Sequence, residues 1–210
     1  MAESTPALVD VFKEKAALVA AKVTEVADLS QAMRYVVQIS EEKPPCELLA
    51  PEPGTQLGPL SENNLPTRIQ PIIAAPDLDD EGFFALEKTC KAKGIRCIRN
   101  GLHRYLAGFD VGLVWAQFAI ADSGTCVVST TDEEVRLATM ICESSVLLLR
   151  KSAIKANLAS IAPQLRILQG TGNPESTTFI TGPSRTADIE RVLTIGVHGP
   201  LELHIILLEE

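Results

Sequence analysis

Apolar residues in the first forty positions return at helical spacing: Leu8, Phe12, Leu18, Val19, Val23 and Val26, then Met33, Val36, Val37 and Ile39. Recurrence every three or four residues marks one face of a helix, so the pattern predicts two helices between Pro6 and Ser40. The break falls at Asp28-Leu29-Ser30, with Ser30 as the second N-cap. The charged face of this pair is left outward, and the apolar face packs either on the domain or on a partner chain. Residues 44–76 change character. Eight of the thirteen prolines lie there, and proline removes backbone donors and blocks helix. An extended, loop-rich connection is expected, with Cys46–Leu49 and Ile72–Ala74 as short strands within it.

From Asp77 the pattern becomes regular. Asp77–Lys93 reads as a helix, acidic at its start, basic at its end and stopped by Gly94. Ile95–Ile98 is a short strand, and Asn100–Ala107 a short helix or turn closed by Gly108. Apolar strands follow at Val111–Trp115 and Cys126–Ser129, around the loop 121–125. Glu133–Glu143 is a helix. Val146–Leu149 is wholly apolar, as in a strand buried on both faces. Ala153–Leu165 is a helix, Thr177–Ile180 a strand, Thr186–Leu193 a helix and Leu203–Leu208 the last strand. Alternating strands and helices imply an α/β layered domain with a mainly parallel sheet. Ligands in such sheets sit beyond the carboxyl ends of the strands. The expected organisation is an N-terminal helical appendage (1–43), a proline-rich connection (44–76) and an α/β domain (77–210).

The length, 210 residues, suits one domain with a sizeable core, and 46% hydrophobic residues give it the material for one. A formal net charge of −8 repels phosphate backbones, which argues against nucleic acid as a partner. No run of about 18 uncharged apolar residues spans a membrane. The acidic start MAESTPALVDVFKEK is unlike a secretory signal, so a cytoplasmic location is expected. The five cysteines are Cys46, Cys90, Cys97, Cys126 and Cys142, and no two form Cys-x-x-Cys. They read as reduced, buried small residues, with no metal site and no intrinsic cofactor.

Three stretches carry polar groups suited to chemistry. In FITGPSRTADIERV (179–192), Gly182 allows close backbone approach, and Ser184 or Thr186 can cap a following helix. With Arg185 as a donor fork, that helix end suits a carboxylate or phosphate oxygen. Asp188 and Glu190 partly neutralise the same end. A capped structural junction explains these residues equally well, and no P-loop pattern is present. In AGFDVGLVWAQFAIADSGTCVVST (107–130), the loop Asp122-Ser123-Gly124-Thr125 is either a tight turn or a wall of the same cleft. There Asp122 could orient a hydroxyl or accept a proton. In GVHGPLELH (196–204), His198 stands between two glycines as an acid–base candidate, whereas His204 reads as a satisfied sheet residue. No G-x-S-x-G elbow supports a hydrolase triad.

Taken in order, AGFDVG and IADSGT (107–130), RLATMICE (136–143), ITGPSRTADIERVLTIGVHGP (180–200) and LELHIILLEE (201–210) resemble the LUD family of lactate-utilisation proteins, in its LutC-type branch. The resemblance covers the C-terminal two-thirds of the chain and is most specific at TGPSRTADIE…GVHGP. It implies a three-layer α/β/α sandwich, similar to the sugar-phosphate isomerase and CoA-transferase superfamily. It also implies a role in oxidising L-lactate to pyruvate with two iron–sulfur partner proteins, which would hold the clusters. No CoA-transferase nucleophile motif is recognisable. The residues singled out are Asp122 and His198 for catalysis, and Thr125, Thr181, Gly182, Ser184, Arg185 and Thr186 for ligand binding, with Gly124 and Asp188 beside them. The alternative is a stand-alone enzyme acting on a small carboxylate, an acyl-CoA or a sugar phosphate.

Overall fold

A computed structural model describes residues 5–43, 46–47, 57–105, 108–169, 176–186, 194–195 and 199–209. The chain runs α1 (Thr5–Leu18), β1 (Ala21–Val26), α2 (Leu29–Glu42), β2 (Leu57–Leu60), β3 (Pro66–Arg68), β4 (Ile72–Ala74), α3 (Asp80–Ala92), β5 (Arg96–Ile98), β6 (Phe109–Trp115) and β7 (Phe118–Ile120). It continues β8 (Thr125–Thr130), α4 (Glu133–Met140), β9 (Cys142–Arg150), β10 (Ile154–Lys155), α5 (Leu158–Gln169), β11 (Ser176–Ile180), β12 (Arg185–Thr186), β13 (Thr194–Ile195) and β14 (Glu202–Leu208).

The apolar runs of β9 and β14 lie side by side at the middle of a six-stranded sheet ordered β1-β14-β9-β6-β4-β5. Every neighbouring pair in it is parallel. Alternate residues point to opposite faces. Leu147, Leu149, Ile205 and Leu207 pack with Phe12 and Ala16 of α1 and Val135 and Ala138 of α4. Leu148, Ile206 and Leu208 pack with Val36 of α2 and Leu86 of α3. Helices thus cover both faces, which is why these strands read as unbroken apolar runs. A second sheet, ordered β10-β7-β8-β11, lies on the α1/α4 side, and Ala119, Cys126 and Val128 join that core. α5 covers its outer side through Ile161.

The mixed α/β class with a mostly parallel central sheet is as expected; several local expectations are not. The helical reading of the N-terminal segment is corrected at Ala21–Val26, which pairs along all six residues with β14 as an edge strand of the main sheet. Ala20 at φ +63° ends the first helix, and the β-branched Val23, Thr24 and Val26 then favour extended backbone. Over six residues their spacing fits either period. The cap of α2 is Asp28, which accepts from Gln31 N at 2.7 Å, and not Ser30. The helix after 132 stops at Met140, because Cys142 already belongs to β9. The helix expected from Ala153 begins at Leu158, since Ile154–Lys155 pairs with β7. β11 joins β8 antiparallel, outside the parallel sheet. Glu47 makes a single bridge with Thr67, and residues 48–49 lie outside the described residues. The helix expected at Thr186–Leu193 does not begin at Thr186, which is extended and paired with Thr194; residues 187–193 lie outside the described residues.

Candidate functional site

The antiparallel pairing of β8 with β11 sets Cys126 opposite Ile180. That register brings Thr125 beside Thr181, their hydroxyls 2.8 Å apart, and Ser123 Oγ lies 2.8 Å from Thr125 Oγ1. Two of the sequence motifs therefore meet. Both also press on the end of α1. Gly124 has φ +65°, and a Cβ there would stand 2.4 Å from Ala16 N. Gly182 has φ +73°, and a Cβ there would stand 2.2 Å from the Val19 carbonyl oxygen. The same Val19 carbonyl accepts from Arg185 Nη2 at 2.6 Å. A cation on the last carbonyls of a helix satisfies an orphan acceptor and opposes the negative end of the dipole. The glycines and arginine of these motifs thus grip the α1–β1 turn.

The other wall of the same segment opens on a cleft of about 260 Å³. It lies between the last turn of α4 (Thr139, Met140), the chain from Thr178 to Ser184, Gly199-Pro200, and the sheet at Ser145 and Leu203. The walls are tied by Ser184 N donating to Pro200 O at 2.9 Å and Leu201 N donating to Glu143 O at 2.8 Å. Met140 and Phe179 are exposed at the rim. The floor is Ser145, paired in register with Gly112 and Leu203 in the middle of the sheet. Ser145 is only 2% exposed, and its Oγ has no hydrogen-bond partner among the described residues. The Cys142 thiol lies close by, pushed up to about 12 by burial although the neighbouring Ser145 hydroxyl works to lower it. A protonated thiol is only a weak acceptor. Burying a hydroxyl without a partner is costly, which makes this group the cleft's most informative feature.

Among the residues singled out in the sequence, Thr181, Gly182 and Ser184 line the cleft, and Thr125 supports Thr181 from behind. Asp122 is exposed on the β7–β8 turn, its N–H bonded to Ala156 O at 3.1 Å, and it does not line the cleft. Arg185 is engaged on Val19, Gly124 faces α1, and Thr186 lies in β12. His198, Asp188 and Glu190 lie outside the described residues. Ser145, Thr139 and Thr178 were not singled out. For Ser145 a signal existed: Ser144-Ser145 interrupts an otherwise apolar buried strand.

Ser144 points to the opposite face and is fully partnered. Lys43 Nζ donates to its Oγ at 2.8 Å, and that Oγ lies 3.3 Å from Glu202 Oε2. Lys43 also pairs with Glu143 at 3.6 Å, and Lys22 donates to Glu202 Oε1 at 2.8 Å. His204 Nε2 meets Glu202 Oε2 at 3.2 Å, and Nδ1 meets the Tyr35 hydroxyl at 3.0 Å. Burial works to raise the Glu202 carboxyl, but its bonds to Lys22 and His204 and the Lys43 charge hold it at about 2. Burial lowers the His204 pKa despite that bond. In the neutral ring that burial favours, Nε2 donates to the carboxylate and Nδ1 accepts from the Tyr35 hydroxyl. Nearby, Asp110 is 2% exposed and accepts from Cys46 N and Ile72 N; burial raises its pKa against those donors. No group of His, Cys, Asp and Glu among the described residues is arranged to hold a metal. No helix among them is long and apolar enough to cross a membrane.

Comparison with known proteins gives a consistent picture. Over 102 residues, 48% of this chain, it is 35% identical to an uncharacterised protein, YkgG, of Escherichia coli. It is 33% identical to lactate utilization protein C of Shouchella clausii over 102 residues, and 30% identical to the protein of that name from Halalkalibacterium halodurans over 103. These matches span only 44–45% of the relatives' own length. The fold is similar to the crystal structure of a DUF162 family protein from Deinococcus radiodurans, with a TM-score of 0.62 at 15% identity, covering 98% of this chain and 99% of that one. The family model of the LUD domain matches residues 9–208, so the chain belongs to the LUD domain family.

Proposed function

We propose that this chain is a cytoplasmic subunit of a system that oxidises L-lactate to pyruvate with iron–sulfur partner proteins, and that its ligand site is the cleft over Ser145. The observation that carries the first part is kinship: relatives at 30–33% identity bear the name lactate utilization protein C. The second part rests on the Ser145 hydroxyl, which has no hydrogen-bond partner among the described residues, beneath a cleft whose wall is the TGPS segment. The TGPS segment walls the cleft and, with Arg185, holds the α1–β1 turn. Arg185, committed to Val19, supports the wall and leaves the binding to hydroxyl groups.

The test is genetic and biochemical. Deleting the gene from its host should abolish L-lactate oxidation by cell extract, or assembly of the iron–sulfur proteins required for it. Re-expression of the wild-type chain should restore both. Undiminished lactate oxidation and normal assembly in the deletion strain would overturn the role.

A further inference from the structure

We infer that the cleft takes its ligand uncharged end first: a small α-hydroxy or α-keto acid with its hydroxyl or keto oxygen on Ser145 Oγ and its carboxylate at the open mouth. The inference deepens the proposed function and rests on the reading that this cleft is the ligand site.

Three observations set the orientation. First, the floor of the cleft carries a hydroxyl that is 2% exposed and without a hydrogen-bond partner among the described residues. Thr139 is engaged on Arg136 O and Thr181 on Thr125, so those two hydroxyls already have protein partners. Ser145 can both donate and accept, which matches a ligand hydroxyl or keto oxygen. Second, no charged side chain lines the cleft among the described residues. A carboxylate carried to the floor would lose its water and meet no cation, which is strongly unfavourable. Third, the helix end at this cleft is the C-terminus of α4, whose last residues Thr139 and Met140 form one wall. Helix C-termini carry negative partial charge and disfavour an anion. The expectation of an anion on a helix N-terminus at Thr186 is thus replaced by an orientation in which solvent holds the charge. Leu203, 1% exposed beside Ser145, and Ile180 offer an apolar surface to a methyl group.

The test is calorimetric titration of the intact chain with L-lactate, pyruvate, L-lactamide and propanoate. L-Lactamide keeps the hydroxyl and removes the charge, and propanoate does the reverse. L-Lactamide should bind within about threefold of L-lactate, because a solvated charge contributes little. Propanoate should bind at least about tenfold more weakly, because a site built around a hydroxyl rejects the analogue lacking it. Ser145→Ala should weaken L-lactate by a similar factor while its melting temperature stays at or above that of the wild type. Loss of L-lactamide with propanoate retained would overturn the orientation, as would unchanged L-lactate affinity in Ser145→Ala. No binding of any probe would also overturn it, yet leave the lactate-oxidising role standing if the deletion strain still fails to oxidise lactate.

Discussion

Ser144 and Ser145 are neighbours on one strand and have opposite fates. Both are buried in the middle of a parallel sheet, at 0% and 2% exposure. Ser144 faces α2 and sits in a closed network of Lys43, Glu202 and, through them, Glu143, His204 and Tyr35. Ser145 faces α4 and β11, buried beneath the floor of the cleft with the Cys142 thiol as its weak polar neighbour. A satisfied buried hydroxyl ties elements together and is explained by the fold. An unsatisfied one carries a cost that the fold does not offset, and a ligand can offset it. The difference separates architecture from function on a single strand.

Substitutions on the two faces should behave differently. The largest effect is expected at the clamp behind the cleft. Gly182→Ala forces a side chain into left-handed backbone and onto the Val19 carbonyl, and should cost about 3 kcal/mol in urea denaturation. A loss under 1 kcal/mol would mean that the α1–β1 turn is free to move aside. Next comes the network side. Lys43→Ala leaves Glu143, Glu202 and Ser144 without their shared cation, and should cost about 2 kcal/mol, less than a fully buried pair because solvent reaches the carboxylates. The serines themselves follow. Ser144→Ala should cost about 1 kcal/mol, whereas Ser145→Ala should cost about 0 or stabilise slightly. Equal costs for the two would erase the distinction drawn between the faces.

The smallest effect is expected from His204, through its part in the pH dependence of stability. The folded His204 pKa is lowered below 6.5, so as pH falls below 6.5 the unfolded chain takes up a proton that the folded one resists, and stability declines. The Glu202 carboxyl, held at about 2 against an ordinary 4.5, adds a second loss as pH falls from 4.5 towards 2. Asp110 acts in the opposite sense, because its raised pKa costs stability as pH rises above 3.8. His204→Gln should flatten the melting temperature between pH 6.5 and 5 and leave the steeper acid limb. An unchanged slope in that window would remove His204 from the account.

Much of the framework was legible in the sequence. Val146–Leu149 and Leu203–Leu208 read as buried strands because both faces of the sheet are covered, and α3 announced itself through its acidic start and Gly94. What failed did so for physical reasons. Ala21–Val26 is short, and its apolar spacing fits a helix as well as a strand; the pairing with β14, which sets Ala21 beside Leu203 at the other end of the chain, decides it. β10 and β11 belong to a second sheet whose partners are set by tertiary pairing, which local pattern does not encode. At the site, TGPS was found because glycine, proline and hydroxyls punctuate a turn, but the role of Arg185 depended on which carbonyl it would reach. Ser145 was missed because its neighbour Ser144 looks identical in sequence. Only the two faces of the strand tell them apart.

The most direct measurement is a parallel L-lactate titration of the wild-type chain, Ser144→Ala and Ser145→Ala, each shown to be folded by its melting transition. Saturable binding is expected for the wild type and for Ser144→Ala, with at least about a tenfold loss in Ser145→Ala. Binding that survives in Ser145→Ala, or that falls equally in both variants, would contradict it.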